Sequence, residues 1–256
     1  IAEDMGPSRL MFRYSSKFTP EQFKIFDGHF RPRNEAFEKL NLQGRDRTRW
    51  NYQRYIKNYL RCVKAVDENV GRMLKFLDDS GLAKDTVVIY SSDQGFWLGE
   101  HGWFDKRWMY EESLHTPLLV RWPGVTKPGS TNDALVSNLD FAETFLDIAR
   151  TETPKDMQGR SLKPLLNGKT PADWRKTHYY HYYEAGGHGV PIHYGVTDGR
   201  FKLIRFPDEE LNTWEFFDLK TDPMEMKSRY GDSEYTQPIT KLKKELGRLR
   251  RLYKVK

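Results

Sequence analysis

Cysteine is all but missing from these 256 residues, Cys62 being the only one. A single thiol excludes an internal disulfide framework and leaves the redox compartment open. Nor does any apolar stretch approach the ~18–20 residues needed to cross a membrane. No aromatic-interleaved basic stripe and no nucleic-acid motif is found, which argues against DNA or RNA as a partner. Repeats and low-complexity tracts are absent as well. The basic excess is mild, +6 from 42 basic and 36 acidic residues. It suits an acidic substrate, but part of it lies in the tail (Lys241, Lys243, Lys244, Arg248, Arg250, Arg251), which reads as a solvated helix face. Against these absences stand 38% hydrophobic and 14% aromatic residues, enough for a core in one large domain or two small ones.

Residues 1–49 are polar and basic, interrupted by Pro7, Pro20, Gly28, Pro32 and Gly44, with helical character confined to Pro20–Phe26 and Glu35–Leu40. From Trp50 to Asp79 the three-four spacing of Tyr55, Tyr59, Cys62, Val63, Val66, Val70, Met73, Leu74 and Leu77 predicts a long helix with one apolar face. Cys62 falls on that face and reads as buried packing. Strands are expected at 86–91 and 117–121. Both are continuous apolar runs of the kind covered on two faces by helices. A helix is expected over Asn138–Arg150, capped by Asn138 or Ser137 and buried through Leu139, Ala142, Phe145, Leu146 and Ala149. After a turn-rich connection the chain alternates short strands at 177–183, 193–197, 201–206 and 214–219. Asp198-Gly199 marks a hairpin. A final helix spans about Pro238–Tyr253.

The run from Thr86 to Gly124 is the most informative. An apolar strand (Val87, Val88, Ile89, Tyr90) stops at Asp93-Gln94, and in α/β sheets chemistry sits beyond the carboxyl ends of strands. A glycine-punctuated loop then carries His101, Asp105 and Lys106, and a second apolar run ends at Trp122-Pro123-Gly124. Several features occur in order: Asp93-Gln94-Gly95, Leu98-Gly99-Glu100-His101-Gly102, Lys106, Tyr110-Glu111-Glu112-Ser113, and the strand ending in Arg121-Trp122-Pro123-Gly124. One such motif would be weak; the ordered set is hard to produce by chance. It resembles the sulfatase family of the alkaline phosphatase superfamily, with its S-D-(N/H/Q)-G-x-x-L-G-E-H-G-x-x-x-K stretch. Likeness continues to Trp214–Leu219 and Asp222-Pro223-Met224-Glu225, covering most of the chain beyond about residue 50.

The resemblance implies an α/β fold: the C-terminal part of an alkaline phosphatase-like sheet flanked by helices (1–170), plus a small α+β subdomain with an antiparallel sheet and a terminal helix (171–256). It implies one calcium ion held by Asp93 and Gln94, and a sulfate-binding lysine, Lys106. His101 would touch a substrate oxygen, act as acid to the leaving alcohol, or knit its own loop; the residues leave these open. His188 and His193, in Gly186-Gly187-His188-Gly189-Val190-Pro191-Ile192-His193, resemble a segment near the active site in bacterial relatives and are expected to recognise substrate. The tyrosines around His178 and His181 read as core.

Relatives make their nucleophile, formylglycine, from a C/S-x-P-x-R motif. No such motif occurs here: Cys62 is followed by Val63, Lys64, Ala65 and Val66. The paired-aspartate strand that supplies other calcium ligands is also absent. The chain therefore looks like a C-terminal half that would be inactive alone. Its expected partners are a sulfated carbohydrate and the missing N-terminal half, and its expected location, by resemblance, is periplasmic or secreted. The competing readings are a phosphoester or phosphonate hydrolase of the same superfamily, and a noncatalytic paralogue that binds sulfated glycans.

Overall fold

A computed structural model of the chain describes residues 15–184 and 187–255. The polar start of the chain up to residue 14, and Gly186 before His188, lie outside the described residues. Two compact units are present: one comprises the chain up to Ser80 together with Trp97–Phe104, the other Gly81–Phe96 and Asp105–Lys256. The expected boundary near residue 170 falls inside the second unit.

In the first unit, helix α1 (Pro20–Lys39) runs unbroken where only two short helical pieces were expected, passing through Pro32. It starts on a capping box: Thr19 Oγ1 accepts the Gln22 amide and Gln22 Oε1 accepts the Thr19 amide. Pro20 sits at the first helical position, where its missing N–H is not needed. Helix α2 (Gly44–Asp79) is longer than expected by about one and a half turns. Its apolar stripe is only partly covered. Asn51 is its one buried residue, while Val63, Val66, Met73 and Phe76 are exposed, as is Cys62. Tyr55, Tyr59, Val70, Leu74 and Leu77 of the expected stripe are half-buried, and Cys62 is exposed within this chain. Trp97 is fully buried, and its backbone carbonyl accepts the Tyr55 hydroxyl at 3.5 Å.

In the second unit, β1 (Val88–Ser91) pairs antiparallel with β2 (Leu118–Arg121), Val88 opposite Arg121 and Ser91 opposite Leu118. Coverage on both faces was expected. Within this chain Leu119 is 66% exposed and Tyr90 41%. Between them lies a single helical turn, α3 (Glu111–Leu114).

Helix α4 (Asp140–Ile148) corrects the sequence reading more sharply. Leu139, not Asn138 or Ser137, is the N-cap residue, and no side chain caps it. Leu139 and Phe145 of the expected stripe are each 52% exposed, whereas Asp140, Glu143 and Thr144 are buried. Residues three and four apart share a helix face, and here that face accepts backbone amides from a loop. Asp140 accepts from Arg160 at 2.9 Å, Glu143 from Gly159 at 2.6 Å and Thr144 Oγ1 from Leu162 at 2.8 Å. Loop amides removed from water require acceptors, so the face that is buried is the polar one. Gly159 fits because a Cβ there would lie 2.2 Å from the Leu139 carbonyl. Arg175 closes the arrangement with a two-pronged ion pair to Asp140. The short helix α5 (Lys163–Leu166) follows and buries Leu165.

The last four strands form an antiparallel meander in sequence order: β3 (His178–Tyr182), β4 (His193–Thr197), β5 (Phe201–Phe206) and β6 (Thr213–Asp218). The hairpin at Asp198-Gly199 forms as expected, with Gly199 at φ 89° and the Asp198 amide bonded to the Phe201 carbonyl. Helix α6 (Thr236–Leu252) lays Ile239, Leu242, Leu246 and Leu249 on Val196, Leu203 and Phe216, making a compact core. Among the described residues, no helix is long and apolar enough to cross a membrane.

The polar face of α4 is testable. Asp140→Ala would leave the half-buried Arg175 guanidinium and the Arg160 amide without their buried acceptor, and breaking a buried pair costs about 3–5 kcal/mol. Denaturant unfolding should show a loss of that order, whereas Phe145→Ala, on the exposed face, should cost under about 1 kcal/mol.

Candidate functional site

The carboxyl end of β1 is fixed before it reaches its polar pair. Ser91 Oγ donates to the Pro117 carbonyl at 2.9 Å, joining the strand end to the entry of β2. Ser92 Oγ donates to the Gln94 carbonyl at 2.7 Å, which tightens the turn. The Gly95 amide then donates to the Ser113 carbonyl in α3 at 2.8 Å. A Cβ on Gly95 would lie 1.9 Å from the Glu112 carbonyl, so only glycine allows the loop this close to the helix. The result presents Asp93 exposed and Gln94 half-buried.

Among the described residues no cation pairs with Asp93; its one contact is a 3.5 Å approach of the Ser92 hydroxyl. A free carboxylate beside an amide oxygen suits a hard cation, which takes six to eight oxygens. The two side chains fit as part of such a shell. Among the described residues no three His, Cys, Asp or Glu groups converge to complete one.

Lys106 lies half-buried in the segment leading into α3. It is bracketed by an ion pair between Asp105 and Arg107, with Asp105 in the left-handed region at φ 128°. Beyond it the backbone is held at every second residue. The Tyr180 hydroxyl on β3 donates to the Arg107 carbonyl at 2.6 Å. His193 on β4 accepts the Met109 amide at 3.1 Å. Glu225, after β6, accepts the Glu111 amide at 2.7 Å. Tyr110 adds a side-chain bond, its hydroxyl donating to Glu215 at 2.7 Å. Helix α3 is only about 6 Å long. The Gly95 contact sits at one end of it and the Lys106 segment enters at the other.

Under this segment Lys202 is fully buried, its ammonium 2.8 Å from Glu111 and 2.7 Å from Glu225. Burial pushes the Glu225 carboxyl up despite the pull of Lys202. The sequence reading missed this centre, as it missed Tyr180 and Arg107. The available signal was a lysine inside the strand Phe201-Lys202-Leu203-Ile204, where both neighbours and the residue beyond are apolar.

The three histidines differ in their surroundings. His193 is fully buried, ringed by Trp108, Tyr180, Tyr182 and Phe206 with ring centroids 5.5–5.6 Å away. Its Nε2 accepts from Met109 while Nδ1 lies 2.9 Å from the Pro191 carbonyl, which requires the proton on Nδ1. With both nitrogens engaged, His193 has no atom left for a sugar; the expectation that it recognises substrate is corrected. His188 is exposed, at φ 59° in the turn Gly187–Gly189. His101 belongs to the first unit. It sits at φ 53°, with its ring edge-on to Trp97 at 4.9 Å and stacked on Trp103 at 5.9 Å.

Comparison with known proteins gives two family matches, "Sulfatase" over residues 12–151 and "N-sulphoglucosamine sulphohydrolase, C-terminal" over residues 99–252. A curated N-acetylglucosamine-6-O-sulfatase of Bacteroides thetaiotaomicron is 48% identical over 232 residues, covering 90% of this chain and 41% of that protein. A solved structure of a relative with its substrate D-glucosamine-2-N,6-O-disulfate superimposes with TM-score 0.86 at 46% identity, over 94% of this chain and 49% of that one. A phosphonate monoester hydrolase from Silicibacter pomeroyi matches with TM-score 0.72 at 25% identity, over 93% and 46%. The chain thus spans less than half the length of these relatives.

Buried His193 and half-buried His178 carry a pH dependence. Burial lowers the pKa of both His193 and His178 below the ordinary value of 6.5. Above that value each is neutral, folded or unfolded. Below it the unfolded chain takes up protons that the folded chain refuses, so stability falls as pH drops from 6.5 toward the lowered folded values, then levels. Unfolding midpoints at pH 7 and pH 5 should differ accordingly, and His193→Gln, with no ionising ring, should shrink the difference.

Proposed function

Since this chain belongs to the sulfatase family, we propose that it forms part of an enzyme removing a sulfate ester from a glycan, with a 6-O-sulfated glucosamine unit as the substrate class. The observation that carries this reading is the anchored pair of elements around α3, with Asp93-Gln94 at one end and Lys106 at the other. Their side chains match the motif that opened the resemblance. The substrate class comes from the 48%-identical relative.

Members of the family use a metal ion and a formylglycine in general. Here Asp93 and Gln94 would hold a calcium ion, which when bound supplies positive charge to the sulfate oxygens. Lys106 places an ammonium on those oxygens, where negative charge grows as the S–O bond breaks. His101 is the proposed proton donor to the leaving alcohol, its ring orientation held by Trp97 and Trp103. His188 is proposed to meet the sugar. No C/S-x-P-x-R motif lies within the 256 residues, so the activity is that of a protein supplying it from other sequence; these residues alone are expected not to turn over. Site and substrate together suit a periplasmic or secreted protein. A second reading, phosphonate or phosphoester hydrolysis, is favoured by the structural match to the phosphonate monoester hydrolase, because the same donors suit a phosphoryl group.

The test uses the protein with its nucleophile segment present. Lys106→Ala should lower kcat by about 10²–10³ while leaving calcium affinity near native. Asp93→Ala should weaken calcium binding, measured by titration calorimetry, and lower turnover with it. Native affinity and turnover in Asp93→Ala would overturn the metal assignment; faster hydrolysis of a phosphonate ester than of the glucosamine 6-sulfate would favour the second reading.

A further inference from the structure

The segment carrying Lys106 has little structure of its own, yet it must hold a long, flexible side chain in place. A lysine carries about 2 kcal/mol of rotamer entropy, and electrostatic stabilisation works only where the donor is held in advance. Misplacement by about 1 Å can cost 10²-fold in rate. What fixes the segment is the sheet beneath it, through the contacts at residues 107, 109 and 111. The middle contact is unusual in chemistry. A backbone amide donates to an imidazole nitrogen, and that nitrogen can accept only because the other carries the proton toward Pro191. Four aromatic rings lie within 5.5–5.6 Å of this ring, centroid to centroid. His193 therefore sets where Met109 lies, three residues from Lys106, and touches no solvent.

We propose that His193 is a positioning residue for Lys106, acting through the Met109 amide, and that its effect on the reaction passes through Lys106 alone. The proposal rests on Lys106 being the sulfate-binding cation. It predicts which replacement works. Gln can place an oxygen near the position of Nε2 and accept the Met109 amide. Asn reaches only the position of Nδ1, keeping the Pro191 contact and losing Met109.

The experiment is a double-mutant cycle in the full protein, using a glucosamine 6-sulfate substrate, with amide hydrogen exchange read at Met109. His193→Asn is expected to lower kcat about tenfold, the effect of about one hydrogen bond, with KM little changed. His193→Gln should restore most of it. In a Lys106→Ala background the same Asn substitution should lower kcat by less than about twofold. Exchange at Met109 should quicken in His193→Asn and stay near native in His193→Gln. Equal losses with and without Lys106, or Gln as damaging as Asn, would overturn the positioning role. Native turnover in Lys106→Ala alone would instead overturn the reading of Lys106 on which it rests. Should His193→Asn fail to fold, Tyr180→Phe, which deletes only the hydroxyl on Arg107, must show the same dependence on Lys106 or the proposal fails.

Discussion

The buried ammonium of Lys202, shared between Glu111 and Glu225, is the constraint on which the rest of the second unit depends. A charge with no exposed surface is tolerated only when opposite charge meets it closely, since desolvation of each ion costs several kcal/mol. Both carboxylates come from outside strand β5. Glu111 opens α3, and Glu225 lies beyond β6 in a residue at φ 50°, a conformation that side chains seldom adopt. Satisfying one lysine thus fixes the start of α3 over the C-terminal sheet. From there the connections are short. The end of α3 receives the Gly95 amide, which sets Asp93-Gln94, and the segment entering α3 carries Lys106.

This arrangement gives the C-terminal sheet a mechanical role. Its hydrogen-bonding register, Tyr180 opposite Gly195 and Tyr182 opposite His193, brings side chains from neighbouring strands beneath one short stretch of backbone. Gly195 matters for the same reason. A Cβ there would lie 2.3 Å from the Leu203 carbonyl and 2.6 Å from the Met109 sulfur, so Met109 can settle onto the sheet only over glycine. The sheet buries aromatic and aliphatic side chains against α6 on one side and holds the Lys106 segment through directional bonds. Hydrophobic burial is non-directional, and stability alone would not fix a loop; the polar contacts do.

Much of this was legible in the sequence. The long helix, the Asp198-Gly199 hairpin and the four C-terminal strands follow local rules of periodicity and turn chemistry, and they appear within a few residues of expectation. The ordered motifs from Asp93 to Gly124 carried the family. What failed were statements about which face is covered. Val63, Val66 and Met73 on α2 and the strand residues Leu119 and Tyr90 are apolar and exposed within a chain that spans less than half the length of its relatives. Asp140, Glu143 and Thr144 are polar yet buried. Periodicity gives the direction of a side chain along an element, but the partner that covers it is chosen by distant chain. For α4 that partner was a loop whose amides required acceptors. His193 was misread for the same reason: the strand from residue 193 was expected, but nothing local reveals that its first residue is buried among aromatic rings from distant chain.

The question remains why a lysine with two carboxylates should occupy this position when apolar side chains of equal volume often serve stability as well or better. The Glu111 amide supplies the answer. One oxygen of Glu225 meets Lys202 while the other accepts that amide, so the carboxylate couples a charge pair to the first backbone donor of α3. Helix N-termini carry unpaired amides, and burying one without an acceptor costs about 1–3 kcal/mol. An apolar trio would leave the amide orphaned and would allow the helix to slide, because apolar contacts tolerate small shifts. Glu225 in place of them requires a cation, and the cation in turn holds Glu111. A compact ammonium serves two carboxylates from different segments, where a planar guanidinium would favour one of them bidentately. The charge cluster is thus better understood as a device for register than as a source of stability, which is what a site built on either side of one helical turn requires.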